Sequence, residues 1–111
     1  MAAGPARVMF HKARPVRSPA YRRWVASLPC GLCGVEGFSQ AAHQNQGKGL
    51  SMKVCDLLTF PACAPHWGMP GCHWQIDTSF QMTREQRREI ELTQVAATQD
   101  KARAAGRPEI R

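Results

Sequence analysis

The residues best able to do chemistry crowd into the middle of the chain. Cys72-His73 stands four residues before Asp77, Cys63 lies upstream, and Cys30, Cys33 and His43 lie further back. Thiolates, imidazoles and a carboxylate gathered this closely suggest two metal sites side by side, one structural and one reactive. Cys30 and Cys33, two residues apart, form a knuckle that offers two thiolates to one tetrahedral ion, and Cys63 with Cys72 supplies a second pair. Cys63-Ala64-Pro65-His66 is itself a ligand spacing, so His66 is an alternative to Cys72. A redox CxxC would call for a thioredoxin-like βαβ setting, which the pattern lacks. The expected ion is structural Zn²⁺. Cys55 is left over and reads as a small buried hydrophobe on a strand.

His73 and Asp77 share one face if they lie on a helix, so an imidazole and a carboxylate can hold one ion. This N/O pair suits Mg²⁺, Mn²⁺ or Zn²⁺ and leaves coordination positions open to a phosphate oxygen. The plainer alternative is a capping or salt-linked pair. A structural ion on Cys72 would fix the helix start and aim the neighbouring His73.

The elements that must carry these groups can be read in outline. Tyr21, Trp24, Val25 and Leu28 have helical spacing from Pro19 to Ser27, with Pro29 as the stop and Arg22 and Arg23 on the exposed side. Phe38 to His43 and Val54 to Phe60 read as two short strands, and Gln44 to Gly49 as a polar loop. A helix starting near Cys72 completes a ββα outline. Thr83 with Gln86 forms a capping box for a last helix, which Gly106 and Pro108 end. Its apolar residues Ile90, Leu92, Val95 and Ala96 are sparse. Trp67 and Trp74 are expected to pack. The predicted organisation is a basic flexible arm over 1–18, a core over 19–80, a C-terminal helix over 81–106 and a tail over 107–111.

Length and charge narrow the function. A chain of 111 residues forms one domain, in which a metal crosslink matters to stability. The net charge is +7, and Arg7, Lys12, Arg14, Arg17, Arg22 and Arg23 all precede the first acid, Glu36. Such a segment gains free energy by releasing counterions from a phosphate backbone. No run approaches the roughly 20 apolar residues of a membrane span, and no amphipathic apolar face accompanies the charges. An odd count of five cysteines without an apolar leader points to thiolates in a reducing cytoplasm.

Taken in order, these pieces resemble the HNH, or ββα-metal, endonucleases, closest to the small forms of bacteriophages and prophages. The elements are Tyr21-Arg22-Arg23-Trp24-Val25, Leu28-Pro29-Cys30-Gly31-Leu32-Cys33, Ala42-His43, Gly47-Lys48-Gly49, Lys53 with Asp56, Cys63, and Cys72-His73-Trp74-Gln75-Ile76-Asp77. The likeness spans roughly residues 21 to 80. It implies that His43 is the general base and that His73 and Asp77 hold the catalytic ion. Three roles are open to Asp56: holding His43 by a hydrogen bond, joining the metal, or ending a turn. Ala42 stands where many members of the family carry a metal ligand, and eight residues separate Cys63 from Cys72 where relatives have two.

The expectation is therefore a small α+β protein with a zinc-stabilised ββα-metal (His-Me finger) core between a short N-terminal helix and a C-terminal helix. Its expected activity is metal-dependent hydrolysis of DNA, with Lys48, Lys53, Arg22 and Arg23 meeting phosphate and with little reading of base sequence. A phage-encoded protein of this kind would work in the cytoplasm of a bacterial host. The alternatives are a noncatalytic zinc module that binds DNA or protein, and a structure-specific recombination nuclease.

Overall fold

The computed structural model describes residues 16–44, 55–78 and 82–110. Helix α1 (Pro19–Ala26) leads to strands β1 (Ser39–His43) and β2 (Thr59–Cys63), then to helices α2 (Cys72–Thr78) and α3 (Arg84–Ala104). This is a small α+β arrangement built on one two-stranded antiparallel sheet.

Helix α1 begins where Ser18 accepts the Tyr21 amide at 3.1 Å and Pro19 occupies the first turn, where a missing N–H costs nothing. It buries Tyr21 and Val25. It stops at Ala26, ahead of Pro29, because the Ser27 hydroxyl turns back to donate to the Trp24 carbonyl at 2.6 Å. Arg22 is not on the open side as expected: it is half-buried, and its Nε donates to Asp56 Oδ2 at 3.0 Å.

In the hairpin Ser39 faces Cys63 and His43 faces Thr59. The second strand lies later than the sequence suggests, because residues 55–58 form a turn instead. The Leu58 amide closes that turn on the Cys55 carbonyl at 3.0 Å, and the Thr59 hydroxyl donates to the Asp56 carbonyl at 2.9 Å. Cys55 is buried as expected but sits in this turn, off the strand. Pro61 is tolerated in β2 because its carbonyl points outward, accepting the Gly31 amide at 2.9 Å, so its missing N–H falls on the edge away from β1.

Two packed groups make the core. Tyr21, Val25, Cys55, Leu57, Ala102 and Ile110 form one, Ala42, Phe60, Ala62 and Val95 the other, and Leu58 touches both. Helix α3 starts with the expected capping box: Thr83 accepts the Gln86 amide at 3.0 Å, and the Gln86 side chain accepts the Thr83 amide at 2.8 Å. Its buried side is largely polar, with Glu91, Thr98 and Gln99 beside Val95 and Ala102. Gln99 donates to the Leu57 carbonyl at 2.8 Å, so the helix holds the turn before β2 by a hydrogen bond as well as by contact.

The helix ends in a Schellman motif. Gly106 takes φ 74°, its amide meets the Arg103 carbonyl at 3.1 Å, and the Arg107 amide meets the Ala102 carbonyl at 2.9 Å. Residues 107–110 are not a loose tail: Ile110 is buried against the first core group, and Ser18 donates to Glu109 at 3.4 Å. Residues 16–18, expected at the end of a flexible arm, are also tied down, since the Asp56 amide donates to the Val16 carbonyl at 2.8 Å. The rest of that arm lies outside the described residues. Among the described residues, no helix is long and apolar enough to cross a membrane.

Candidate functional site

Cys30, Cys33, Cys63 and Cys72 come together from the knuckle after α1, the end of β2 and the start of α2. Their four sulfurs all lie within 4.8 Å of one another. Sulfurs bonded tetrahedrally to zinc at about 2.3 Å stand about 3.8 Å apart. Cys33 Sγ and Cys63 Sγ are 3.8 Å apart. Backbone amides of Leu32 and Cys33 point at Cys30 Sγ (3.4 and 3.5 Å), and that of Cys72 at Cys63 Sγ (3.3 Å). Against the opposing effect of burial, such amides bring the Cys30 thiol down to about 7. Burial and the crowding of sulfur on sulfur push the Cys72 thiol up. Four thiolates at this spacing repel unless a cation sits among them, so the group is positioned to hold a metal ion, and an all-sulfur tetrahedral set suits structural Zn²⁺.

The segment between Cys63 and Cys72 is a miniature hairpin. His66 and Met69 exchange backbone hydrogen bonds of 3.1 and 2.8 Å around Trp67 (φ 51°) and Gly68 (φ 76°), the paired positive angles of a type I′ turn. Gly71 closes the return. Any side chain there would strike the Cys63 and Ala64 backbone at 2.6 Å, so glycine is what lets Cys72 approach Cys63. His66 is not a ligand. Its ring stacks on Phe38 with centroids 4.4 Å apart, while Cys72 completes the sulfur set. Trp67 and Trp74 are largely exposed, contrary to the packing role expected of them, although Trp67 meets Phe38 edge-on.

His43 and Asp56 form a second constellation. His43 Nε2 lies 2.9 Å from Asp56 Oδ1, so the hydrogen bond to the imidazole, one of the three roles open to Asp56, is present. The Asp56 side chain is fully buried. Its Oδ2 accepts the Ser18 amide at 2.7 Å and Arg22 Nε at 3.0 Å, and the Arg17 guanidinium lies 3.8 Å from Oδ1. Burial pushes this carboxyl up, but His43, the Ser18 amide, Arg22 and Arg17 outweigh it and hold it below its usual range. With Nε2 turned to the carboxylate, Nδ1 is the ring nitrogen of His43 that makes no hydrogen bond among the described residues. The turn over residues 55–58 explains the geometry, because it swings Asp56 back toward the end of β1.

On α2, His73 Nε2 and Asp77 Oδ2 are 3.5 Å apart, one helical turn from each other. His73 Nδ1 meets Gln40 Oε1 of β1 at 2.7 Å, a contact with no sequence signal beyond Gln40 lying on the expected strand. Gln40 and His43 line one open cleft of about 420 Å³, together with Ser39, Ala41, Arg22 and Arg23. The two histidines are thus joined through one strand, three residues apart at their anchor points. Ala42, between them, is buried against Phe60 and offers no donor. Lys48 and Lys53, with Asn45 and Gln46, lie outside the described residues. No protein-family model, curated protein or solved structure matches this chain.

Two predictions follow from this geometry. Metal analysis of the purified chain should find about one tightly held zinc, and Cys63→Ser should lose both the zinc and cooperative melting; a metal-free wild type that melts cooperatively would refute the clamp. The second concerns Asp56, whose folded carboxyl titrates below its unfolded one. Its ionic stabilisation is therefore complete above the unfolded value, about 3.9, and fades as pH falls through the folded value. In urea titrations the stability gap between wild type and Asp56→Asn should be full at neutral pH and narrow below about pH 4. A gap unchanged into that acid range would contradict the assigned ionic pairing.

Proposed function

We propose that this chain is a metal-dependent endonuclease of the HNH, or ββα-metal, type that hydrolyses phosphodiester bonds in DNA. The observation that carries this reading is the shared strand: His43 is braced by a buried carboxylate, and Gln40, three residues back on β1, holds His73. Gln40 and His43 are three residues apart on β1, about 10 Å between their Cα atoms at the usual strand rise. Arg22 and Arg23 on the facing helix give the cleft a positive wall suited to a phosphate backbone.

Each residue then has a defined task. His43 takes a proton from water at Nδ1 as the water oxygen attacks phosphorus. Asp56 accepts from Nε2, keeps the ring in the required tautomer and stabilises the imidazolium that forms. The bond from phosphorus to the 3′ oxygen breaks, and solvent protonates the departing oxygen. An ion held by His73 and Asp77 would supply Lewis acidity that stabilises the charge growing on the phosphate. Arg23 meets backbone phosphate directly, while Arg22, half-neutralised by Asp56, contributes more to fixing the carboxylate than to binding DNA. Binding of this kind weakens steeply with salt and reads little sequence.

Plasmid nicking with Mg²⁺ or Mn²⁺ tests the proposal. His43→Ala should cut about 100- to 10,000-fold more slowly, the usual contribution of a general base, with zinc content and DNA affinity unchanged. Equal nicking by both proteins would remove His43 as the base. A wild type that binds DNA but cuts neither duplex, flap, branched nor single-stranded substrate would leave a noncatalytic zinc module in place of the nuclease.

A further inference from the structure

The contact between Gln40 and His73 deepens that reading and rests on it. We propose that Gln40 is the positioning residue of the ion site on α2, holding His73 so that its Nε2 lone pair faces Asp77. Three observations lead there.

First, Gln40 Oε1 lies 2.7 Å from His73 Nδ1, and a carbonyl oxygen can only accept, so this nitrogen carries the proton. In a neutral imidazole the lone pair then belongs to Nε2. Second, Nε2 is the nitrogen that lies 3.5 Å from Asp77 Oδ2. A lone pair and a carboxylate oxygen at that distance repel unless a cation or a proton lies between them. Third, both side chains are partly open, His73 at 28% and Asp77 at 44%, so an ion can enter and keep positions free for another ligand.

The arrangement matches the general logic of histidine ligands. The ring nitrogen that does not bind metal is fixed by an acceptor, which sets the tautomer and the ring plane. Here the acceptor comes from β1, the strand that also carries His43. Gln40 therefore ties the orientation of the ion-binding imidazole to the strand that positions the base. The ion itself is a divalent cation tolerant of mixed nitrogen and oxygen ligands, such as Mn²⁺.

The test measures Mn²⁺ binding to the full chain by electron paramagnetic resonance, with the zinc retained. Four proteins are compared: wild type, His73→Ala, Gln40→Leu and Gln40→Glu. Wild type should bind one exchangeable Mn²⁺, and His73→Ala should abolish it. Gln40→Leu should weaken binding about 10- to 100-fold, the usual effect of removing a ligand's supporting partner. Because Gln40 is exposed, zinc content and melting temperature should not move in that variant. Gln40→Glu, which can accept but not donate, should restore binding. Nitrogen NMR of the wild-type ring should report the Nδ1–H tautomer of His73.

The possible failures are distinct. If Gln40→Leu binds Mn²⁺ as wild type does, or if Gln40→Glu fails to restore what leucine removes, the positioning role is wrong while the ion site stands. If wild type binds no exchangeable Mn²⁺, or His73→Ala binds it equally well, the ion site and the nuclease reading fall together with the role of Gln40.

Discussion

The convergence of Cys30, Cys33, Cys63 and Cys72 joins three parts of the chain that apolar packing alone would hold weakly. Helix α2 has only seven residues, and among its described side chains only Ile76 is buried. An isolated helix of that length does not persist in water. What fixes it is its first residue, Cys72, drawn against Cys63 by the return at Gly71. The knuckle is fastened on its other side too, since the Gly31 amide binds the Pro61 carbonyl and Gln94 of α3 donates to the Gly31 carbonyl at 3.2 Å. A metal at this junction would fix the start of α2, and with it where His73 and Asp77 stand relative to β1.

A second device does in hydrogen bonds what the sulfur cluster does in coordination. Asp56 is a fully buried charge, and such a charge is tolerated only when its acceptor positions are filled. Ser18, Arg22 and His43 fill them, which brings the residues before α1, the helix itself and the end of β1 to one carboxylate. Replacing this network with apolar residues could yield an equally stable fold, but it would leave the His43 ring free to turn. The polar side of α3 follows the same logic, with Gln99 holding the turn that carries Asp56.

Much of this was legible from residue type and spacing. The Cys30–Cys33 knuckle, the four-residue step from His73 to Asp77, the start of α1 at Pro19 and the capping box at Thr83 all rest on local chemistry, and local chemistry decides them. The displacement of β2 is tertiary in character: Val54 to Phe60 has strand-like composition, but residues 55–58 form a turn that brings Asp56 to His43. Arg22 reads as a surface cation until a buried carboxylate 34 positions away is placed beside it. Gln40 carries no signal at all, because an amide on a strand becomes informative only once its neighbour on another element is known. The hairpin around Trp67 was hidden for a related reason, since a tryptophan with positive φ runs against every local preference.

The proposed nuclease has two unlike metal positions, a sulfur site that builds and an imidazole–carboxylate site that works. Anomalous diffraction from crystals of the His43→Ala protein with a DNA duplex and Mn²⁺, collected at the zinc and manganese edges, addresses this most directly. The account predicts a zinc peak among the four sulfurs and a separate manganese peak between His73, Asp77 and a backbone phosphate lying in the cleft beside position 43. Manganese found only elsewhere, or a phosphate bound away from that cleft, would contradict it.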